Sequence, residues 1–171
     1  VRTNSPSNAC GNAGPHVKEE EFARSIGLAL HDYMRKARSN GFVVSLSGGA
    51  DSTTVAAMAA VSFQLARAEL GDEALRERLS YTALDFDSKC GGLLTTAYQG
   101  SENSSETTRA AAEEVACGVG AHHSEWKIDE FVAGYRERAE TALGRKLTWE
   151  QDDVALQNIQ ARVRAPAVWM L

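Results

Sequence analysis

The sequence is poor in several residue types, and each shortage excludes a class of protein. Its 171 residues include only 3 Cys and 3 Pro. An odd number of cysteines without a CxxC spacing excludes a disulfide framework and a cysteine-based zinc site, so we expect reduced, unpaired thiols. No apolar stretch approaches the roughly 20 residues of a membrane helix, and the N-terminal segment lacks the features of a signal peptide. We therefore expect a cytoplasmic protein without a membrane partner.

An excess of positive charge is also missing. The chain has 18 Lys plus Arg against 23 Asp plus Glu, a formal net charge of −5. The sequence therefore predicts no nucleic-acid partner, while a small anionic ligand at a local site stays compatible with it. With 43% hydrophobic residues, the chain is long enough for one globular domain with a sizeable core.

The first third of the chain changes from a polar segment to regular secondary structure. Residues 1–18, rich in Ser, Asn and Gly, are predicted to form a disordered linker or tail. An amphipathic helix is predicted from Glu19 to Asn40, with Gly41 as its C-terminal cap. The consecutive apolar, β-branched run over 42–46 then predicts a strand covered on both faces.

The rest of the chain repeats the order of strand and helix. An Ala-rich helix is predicted to end near Leu70, and the sequence leaves the course of residues 71–92 open. Further strands are predicted over 93–99 and 121–128, and further helices over 106–120 and from 128 to about 144. A last helix is predicted after a capping box of Thr148 and Gln151, with a kink or an end near Pro166.

This alternation predicts an α/β fold with a parallel sheet, right-handed crossovers and helices on both faces. Ligands of such sheets bind beyond the carboxyl ends of the strands. Three predicted strands are fewer than the five or six that are typical, so we expect a truncated domain.

The segment between the first predicted strand and its helix has the composition of a phosphate-binding turn. Paired glycines let backbone N–H groups and a helix N-terminus converge on phosphate oxygens, and Asp51 beside an anion indicates a Mg²⁺ ligand. Neither the Walker A nor the GxGxxG spacing is present. The alternative for the SGG triplet alone is a plain strand-to-helix turn. The residues of this predicted phosphate-binding turn, which the resemblance described next implies to be the ATP-binding residues, are Ser45, Leu46, Ser47, Gly48, Gly49, Ala50, Asp51 and Ser52.

This turn and its flanking sequence resemble a known family. SGGADS after an apolar strand is similar to the pyrophosphate loop of ATP pyrophosphatases. Over residues 19–171, HDYMRKARSNGFVVSLSGGADS, YQGSENSSETTRAAAEEVACGVGA and LTWEQDDVALQNIQARVRAP resemble the synthetase domain of glutamine-dependent NAD⁺ synthetases. The resemblance implies the N-terminal part of that domain, because the family's second metal-binding Glu, substrate lid and glutaminase domain have no counterpart here. Another ATP pyrophosphatase, such as a GMP synthetase, is the alternative, and QNIQAR argues against it.

The resemblance also implies residues of a substrate site and none that acts as a catalytic nucleophile. Asn158 and Arg162 match an Asn and an Arg that contact deamido-NAD in the family. A solvated helix charge is the alternative for Arg162. Tyr33 matches a Tyr near the pyridine ring of the substrate at the subunit boundary, with a core position as its alternative.

Several further polar residues have both a functional and a structural interpretation. Residues 103–106 (Asn103, Ser104, Ser105 and Glu106) match a turn beside the adenine and ribose, and helix capping is the alternative. Solvated helix charges are expected for Arg109 and Arg164. A surface or strand-end position without a metal role is expected for His122 and His123.

The activity implied by the resemblance is the ATP-dependent amidation of deamido-NAD to NAD⁺ through an acyl adenylate, with release of AMP and pyrophosphate. It implies ATP as co-substrate, Mg²⁺, ammonia or glutamine as nitrogen source, and a homodimer or higher homo-oligomer. The glutaminase domain that would supply ammonia is not in this sequence. A nucleotide-binding fragment that is inactive alone is therefore the alternative of a different class.

Overall fold

Three parallel strands form the centre of the part of the chain that the computed structural model describes, residues 16–171. The strands are β1 (Phe42–Ser45), β2 (Leu94–Gly100) and β3 (His122–Lys127), and they are adjacent in that order. The helices are α1 (Val17–Ala37), α2 (Ala50–Arg78), α3 (Glu106–Val119), α4 (Asp129–Leu143), α5 (Asp153–Arg162) and α6 (Ala165–Met170). The predicted α/β class with a parallel sheet is confirmed.

Alternate strand residues face two different helical layers. Val44, Leu94 and Tyr98 point to one face, where they share a core with α2 and α3. Small side chains on these helices, such as Ala56, Ala60 and Ala112, allow the helix backbones to approach the sheet. On the other face, α6 contacts β1, and Gln99 of β2 donates a hydrogen bond to the backbone just before α6. Helices therefore cover both faces of the sheet, as predicted.

The helix α1 packs on α2 rather than on the sheet. Gly27 lies at the crossing, where its carbonyl accepts a hydrogen bond from the buried hydroxyl of Ser62 at 3.0 Å. The helix α2 continues beyond its predicted end at Leu70, with a kink at Gly71. Its C-terminal part completes a second core that consists of Met34, Phe63, Leu75, Leu79 and Leu93. The open segment 71–92 thus begins as helix and continues as an irregular connection to β2.

Two predicted helix signals are wrong. The C-cap of α1 is Arg38, with a φ of 52°, and not Gly41. Gly41 instead precedes β1 with its Cα against the Leu93 backbone, where a Cβ would lie 2.3 Å from the carbonyl oxygen. The N-cap of α5 is Asp152, and the predicted capping box of Thr148 and Gln151 does not form. Instead, the Asp152 carboxylate accepts a hydrogen bond from the Thr148 N–H at 3.0 Å, across the turn that precedes the helix.

The two ends of the chain are described to different extents. The predicted tail, residues 1–18, lies outside the described residues except for its last three, and α1 begins at Val17. Near the other end, α5 stops at Arg162 and Pro166 occupies the first turn of α6, so the predicted break is confirmed. Between residues 16 and 171, no helix is both long and apolar enough to cross a membrane.

Candidate functional site

The glycine loop, residues 45–52, leaves the carboxyl end of β1 and enters α2. Two serines close it: Ser52 Oγ accepts the N–H of Ser47 at 3.2 Å and lies 3.0 Å from Ser47 Oγ. The Gly49 N–H donates to Ser47 Oγ at 3.3 Å, and the Gly49 carbonyl lies 3.1 Å from Ser52 Oγ. These bonds connect the two ends of the loop through its own side chains. The sequence predicted these hydroxyls as ligand donors, and the structure adds this structural role.

The loop also rests on the first turn of α3. Gly48 has a φ of 78°, and a Cβ on it would lie 2.2 Å from the carbonyl oxygen of Thr108. Thr108 is itself fixed, since its N–H donates to Ser105 Oγ at 3.2 Å and its hydroxyl lies 3.2 Å from the Tyr98 hydroxyl. The loop is thus supported both by its own serines and by the turn that follows β2.

The N-terminus of α2 points out of the loop. Gly49 is the N-cap and has no side chain to cap the helix, and the N–H groups of the first turn have no intrahelical acceptor. Ala50 and Asp51 are exposed. A helix N-terminus with free N–H groups attracts anions, so this end of the loop suits phosphate oxygens.

Asp51 is the acidic residue of that first turn. Its exposed carboxylate belongs to the same loop as the hydroxyls of Ser47 and Ser52, and these groups are oxygen donors of the kind that Mg²⁺ prefers. Within residues 16–171 no three His, Cys, Asp or Glu side chains cluster as a metal site. A single carboxylate fits a Mg²⁺ that completes its coordination with nucleotide phosphates and water, which is how Mg²⁺ is commonly held.

The turn after β2 has the capping role that we gave as an alternative. Ser105 is the N-cap of α3 and accepts the Thr108 N–H, while Ser104 Oγ accepts the Ser101 N–H at 2.9 Å. Glu106 lies in the first turn of α3, where a negative charge is favourable. Capping is thus confirmed, and contact of residues 103–106 with adenine or ribose stays a prediction.

Arg109 is not the freely solvated charge that we expected. Its guanidinium forms ion pairs with three carboxylates, those of Glu106, Glu113 and Glu125. The hydrogen bonds that Arg109 donates to Glu106 and then to Glu125 raise the pKa of its guanidinium above the ordinary value. The pair with Glu125 ties α3 to β3. Because most of this network is exposed to solvent, these ion pairs contribute little to the free energy of unfolding.

Gln99, which sequence reasoning did not select, is at the centre of the carboxyl edge of the sheet. It is only 6% exposed. Its Nε2 donates to the carbonyl of Arg164 at 3.0 Å, and its Oε1 accepts from the Ser45 hydroxyl at 3.4 Å. The available signal was a polar amide near the end of an otherwise buried strand. It connects the start of the glycine loop to the end of α5.

Arg164 also departs from the expected solvated charge. Its Nε donates to the Gln99 carbonyl at 3.4 Å, and its Nη1 donates to the Gln160 carbonyl. Partial burial lowers its pKa below the ordinary value. Among the described residues it has backbone acceptors and no carboxylate in ion-pair distance. This leaves a partly buried positive charge at the junction of α5 and α6.

The predicted substrate residues Asn158 and Arg162 lie on one face of α5, four residues apart. Both are exposed. Asn158 Nδ2 donates to the Val154 carbonyl at 2.9 Å, while its amide oxygen accepts no hydrogen bond from the described residues. Arg162 is two residues from Arg164, and the contact of Arg164 with Gln99 therefore brings this end of α5 to the edge that carries the glycine loop.

The remaining predicted residues lie apart from this edge. Tyr33 is 68% exposed on α1, so its core alternative is wrong, and its contact with a substrate stays a prediction. His122 and His123 lie on β3, and His123 Nδ1 is 2.8 Å from the Thr96 hydroxyl. Cys90 is buried and Cys117 exposed, and both are free thiols as predicted, while the third cysteine is outside the described residues.

Comparison with solved structures identifies the class of protein. The structure matches that of a glutamine-dependent NAD⁺ synthetase from Cytophaga hutchinsonii with a TM-score of 0.82 and 42% identity, over 90% of this chain and 29% of that chain. An NMN synthetase from Francisella tularensis shares the fold, with a TM-score of 0.61 and 18% identity over 88% of this chain and 48% of that one. The sheet with a glycine loop between β1 and α2 defines an α/β protein of the ATP pyrophosphatase type.

The sequence comparisons then identify the family. The family model described as NAD synthase matches residues 22–171, and the chain therefore belongs to the NAD synthase family. It is 36% identical to a glutamine-dependent NAD⁺ synthetase of Oryza sativa subsp. indica over 172 residues, and 32% identical to the human one over 164 residues. These alignments cover 91% and 87% of this chain. The chain spans 23% of the length of each of these relatives. The predicted family resemblance is confirmed.

Proposed function

We propose that this chain carries the ATP site and part of the deamido-NAD site of a glutamine-dependent NAD⁺ synthetase. The observation that carries the proposal is the edge of the sheet where the glycine loop and the end of α5 meet through Gln99. One side of this edge offers a helix N-terminus to phosphate. The other offers Asn158 and Arg162 on an exposed helix face.

The glycine loop is the ATP-binding part. The N–H groups at the N-terminus of α2, together with those of the loop that donate to no protein acceptor, bind the β- and γ-phosphates, which leave as pyrophosphate. The Asp51 carboxylate would hold Mg²⁺ together with the nucleotide, and the serine hydroxyls of the same loop would be further oxygen donors. When bound, Mg²⁺ neutralises the charge that develops on the leaving group. The ADP complex described for a glutamine-dependent NAD⁺ synthetase from Acinetobacter baumannii supports the use of an adenine nucleotide in this family.

The face of α5 with Asn158 and Arg162 is the deamido-NAD-binding part. Arg162 pairs with an anionic group of the substrate, and Asn158 provides an amide for hydrogen bonding. Tyr33, which lies apart from this face in a single chain, approaches the pyridine ring at the boundary with a second copy. The nicotinate carboxylate then attacks the α-phosphorus of ATP, pyrophosphate leaves, and ammonia displaces AMP from the acyl adenylate. Because the substrate itself supplies the nucleophile, the protein contributes position and charge stabilisation.

Binding without turnover is the second candidate function of this chain alone. The length of the chain favours this candidate, because the chain spans only 23% of the length of its curated relatives. In this case the chain binds both nucleotides, and the amidation requires parts of the longer protein, including a glutaminase that supplies ammonia from glutamine.

Association with a second copy and a cytoplasmic location complete the proposal. Large apolar side chains are exposed on α1 and α6, among them Phe22 at 62% and Trp169 at 83%. Such surfaces support a homodimer or higher homo-oligomer. The two free thiols of the described residues support a reducing compartment such as the cytoplasm.

Calorimetry on the chain tests the proposal directly. We expect binding of ATP with Mg²⁺, much weaker binding with EDTA, and binding of deamido-NAD but not of xanthosine monophosphate. Asp51→Asn should weaken the dependence on Mg²⁺ and leave deamido-NAD binding unchanged. Release of AMP from ATP, deamido-NAD and ammonia distinguishes turnover from binding alone. Preference for xanthosine monophosphate would instead indicate a GMP synthetase, and absence of all nucleotide binding would refute the proposal.

A further inference from the structure

The amide of Gln99 holds three segments that are distant in the sequence. It belongs to β2, accepts a hydrogen bond from Ser45 at the end of β1, and donates one to Arg164 after α5. Arg164 Nε in turn donates a hydrogen bond to the main-chain carbonyl of Gln99 at 3.4 Å. Since a buried amide needs partners for both its N–H and its oxygen, the 6% exposed side chain is held in one orientation.

The glycine loop and α5 depend on this amide to different degrees. The loop has its own serine hydrogen bonds and rests on Thr108, so it keeps its shape without Gln99. The helix α5 is ten residues long and buries only Leu156 within its span. Packing alone therefore positions α5 weakly. Two hydrogen bonds connect it to the sheet: the Gln99 side chain donates to the Arg164 carbonyl, and Arg164 Nε donates to the main-chain carbonyl of Gln99. The first of these depends on the Gln99 amide.

We infer that Gln99 is a positioning residue that sets the end of α5, and with it Asn158 and Arg162, against the ATP loop. This inference rests on the proposed function of α5 as the deamido-NAD helix. Gln99 itself touches neither nucleotide in this scheme. It acts by fixing the distance between the two binding parts, on which in-line attack on the α-phosphorus depends.

The chemistry of the position requires an amide of this length. Asn is one methylene shorter and does not span from β2 to the Arg164 carbonyl. Met has the same length and suits a buried position, but it can neither donate to Arg164 nor accept a normal hydrogen bond from Ser45. Gln99→Met therefore removes both side-chain hydrogen bonds of Gln99 and keeps the volume, while the bond from Arg164 Nε to the main-chain carbonyl of residue 99 remains. Gln99→Asn is a second variant that keeps the amide.

The experiment is calorimetry of this chain with Mg·ATP and, separately, with deamido-NAD. For Gln99→Met we expect the Kd of deamido-NAD to rise about tenfold, the size of effect that a lost hydrogen bond produces, and the Kd of ATP to stay within about twofold. The matched control is Gln157→Met, an exposed glutamine on α5. It should leave both constants and the folded circular dichroism spectrum unchanged.

Each outcome supports or overturns the inference. A loss confined to deamido-NAD in Gln99→Met, or in Gln99→Asn, supports it. Equal weakening of the binding of both ligands, or loss of the folded spectrum in both variants, overturns it, because Gln99 then supports the whole fold. Unchanged affinities for both ligands also overturn it, because Gln99 then has no effect on the position of α5. If the unmodified chain binds neither nucleotide, the proposed function fails, and the inference fails with it. A chain that binds both ligands while the Gln99 variants match it refutes the inference alone.

Discussion

Gly48 and the carbonyl oxygen of Thr108 are so close that a Cβ atom on residue 48 would lie 2.2 Å from that oxygen. This contact joins the glycine loop after β1 to the first turn of α3. The neighbouring Gly49 is different: its φ is −91°, and a Cβ atom on it would have Ser47 Oγ as its nearest neighbour, at 3.3 Å. The fold therefore requires glycine at residue 48 and does not require it at residue 49.

The first prediction concerns stability. Gly48→Ala places a Cβ against backbone and forces a left-handed φ on alanine, so we expect a loss of about 2 to 4 kcal/mol in the free energy of unfolding. Gly49→Ala should cost less than about 1 kcal/mol, since its φ and ψ suit any residue. Urea denaturation of both variants measures this difference. Equal losses would contradict this difference between the two glycines.

The second prediction concerns ATP. Gly49→Val keeps the fold but places a branched side chain where the phosphates must approach the loop backbone, so Mg·ATP binding should be abolished. Calorimetry with Mg·ATP tests this, and deamido-NAD binding serves as the control for an intact α5. Unchanged Mg·ATP affinity in Gly49→Val would refute the assignment of the loop.

The third prediction concerns the substrate helix. Removing the Arg162 guanidinium loses a charge-assisted hydrogen bond, worth about 1.5 to 3 kcal/mol. Arg162→Ala should therefore raise the Kd of deamido-NAD about ten- to hundredfold and leave the Kd of ATP unchanged. Arg162 is exposed, so the fold should persist. Gln157→Ala on the same helix is the control. Equal losses for both ligands would mean that Arg162 supports the fold instead.

The fourth prediction concerns acid stability through Glu140, whose side chain is 9% exposed. Three hydrogen bonds lower the pKa of its carboxyl to about 2, from an ordinary value of 4.5. In order of decreasing effect, the donors are Lys146, the Leu147 N–H and Arg136. A carboxylate with a depressed folded pKa stabilises the protein fully above its unfolded pKa, and loses this effect as the pH falls towards the folded pKa. Glu140 should thus stabilise the fold above about pH 5 and lose that contribution between about pH 4.5 and 2.

Glu140→Gln isolates this contribution. In urea denaturation, we expect the variant to be clearly less stable than the original chain at pH 7, and we expect most of this difference to be lost at pH 2.5. Hydrogen bonds from Arg145 and then from the Thr148 N–H also lower the pKa of Asp152 to about 2. Asp152 is present in both proteins, so its titration does not contribute to the difference between them. A stability difference that does not change with pH would contradict the role of the Glu140 charge.

The fifth prediction concerns assembly. The exposed apolar surface of α1 and α6 should drive formation of a homodimer, or aggregation, at tens of micromolar in sedimentation velocity. Trp169→Ser removes the largest exposed side chain of α6 and should shift the distribution towards monomer. Trp149, 60% exposed between α4 and α5, provides the matched control Trp149→Ser. A monodisperse monomer at that concentration would contradict the prediction.

The sequence by itself determined the order of strands and helices, the parallel sheet, the place of the glycine loop and the resemblance to the family. These features depend on local signals. Apolar spacing distinguishes β1 from α2, and the glycine pair between them marks the turn from strand to helix. The capping role of Ser105 is local as well, because its acceptor and donor are three residues apart.

Only the tertiary structure decided the features that join distant residues. Gln99 and Arg164 are 65 residues apart, and nothing near either one indicates their hydrogen bonds. The helix α2 passes Gly71 because the side chains beyond it, Leu75 and Leu79, are buried in a core with Met34 of α1. Local signals favoured an end at Leu70, but burial of apolar surface outweighs the cost of one kink.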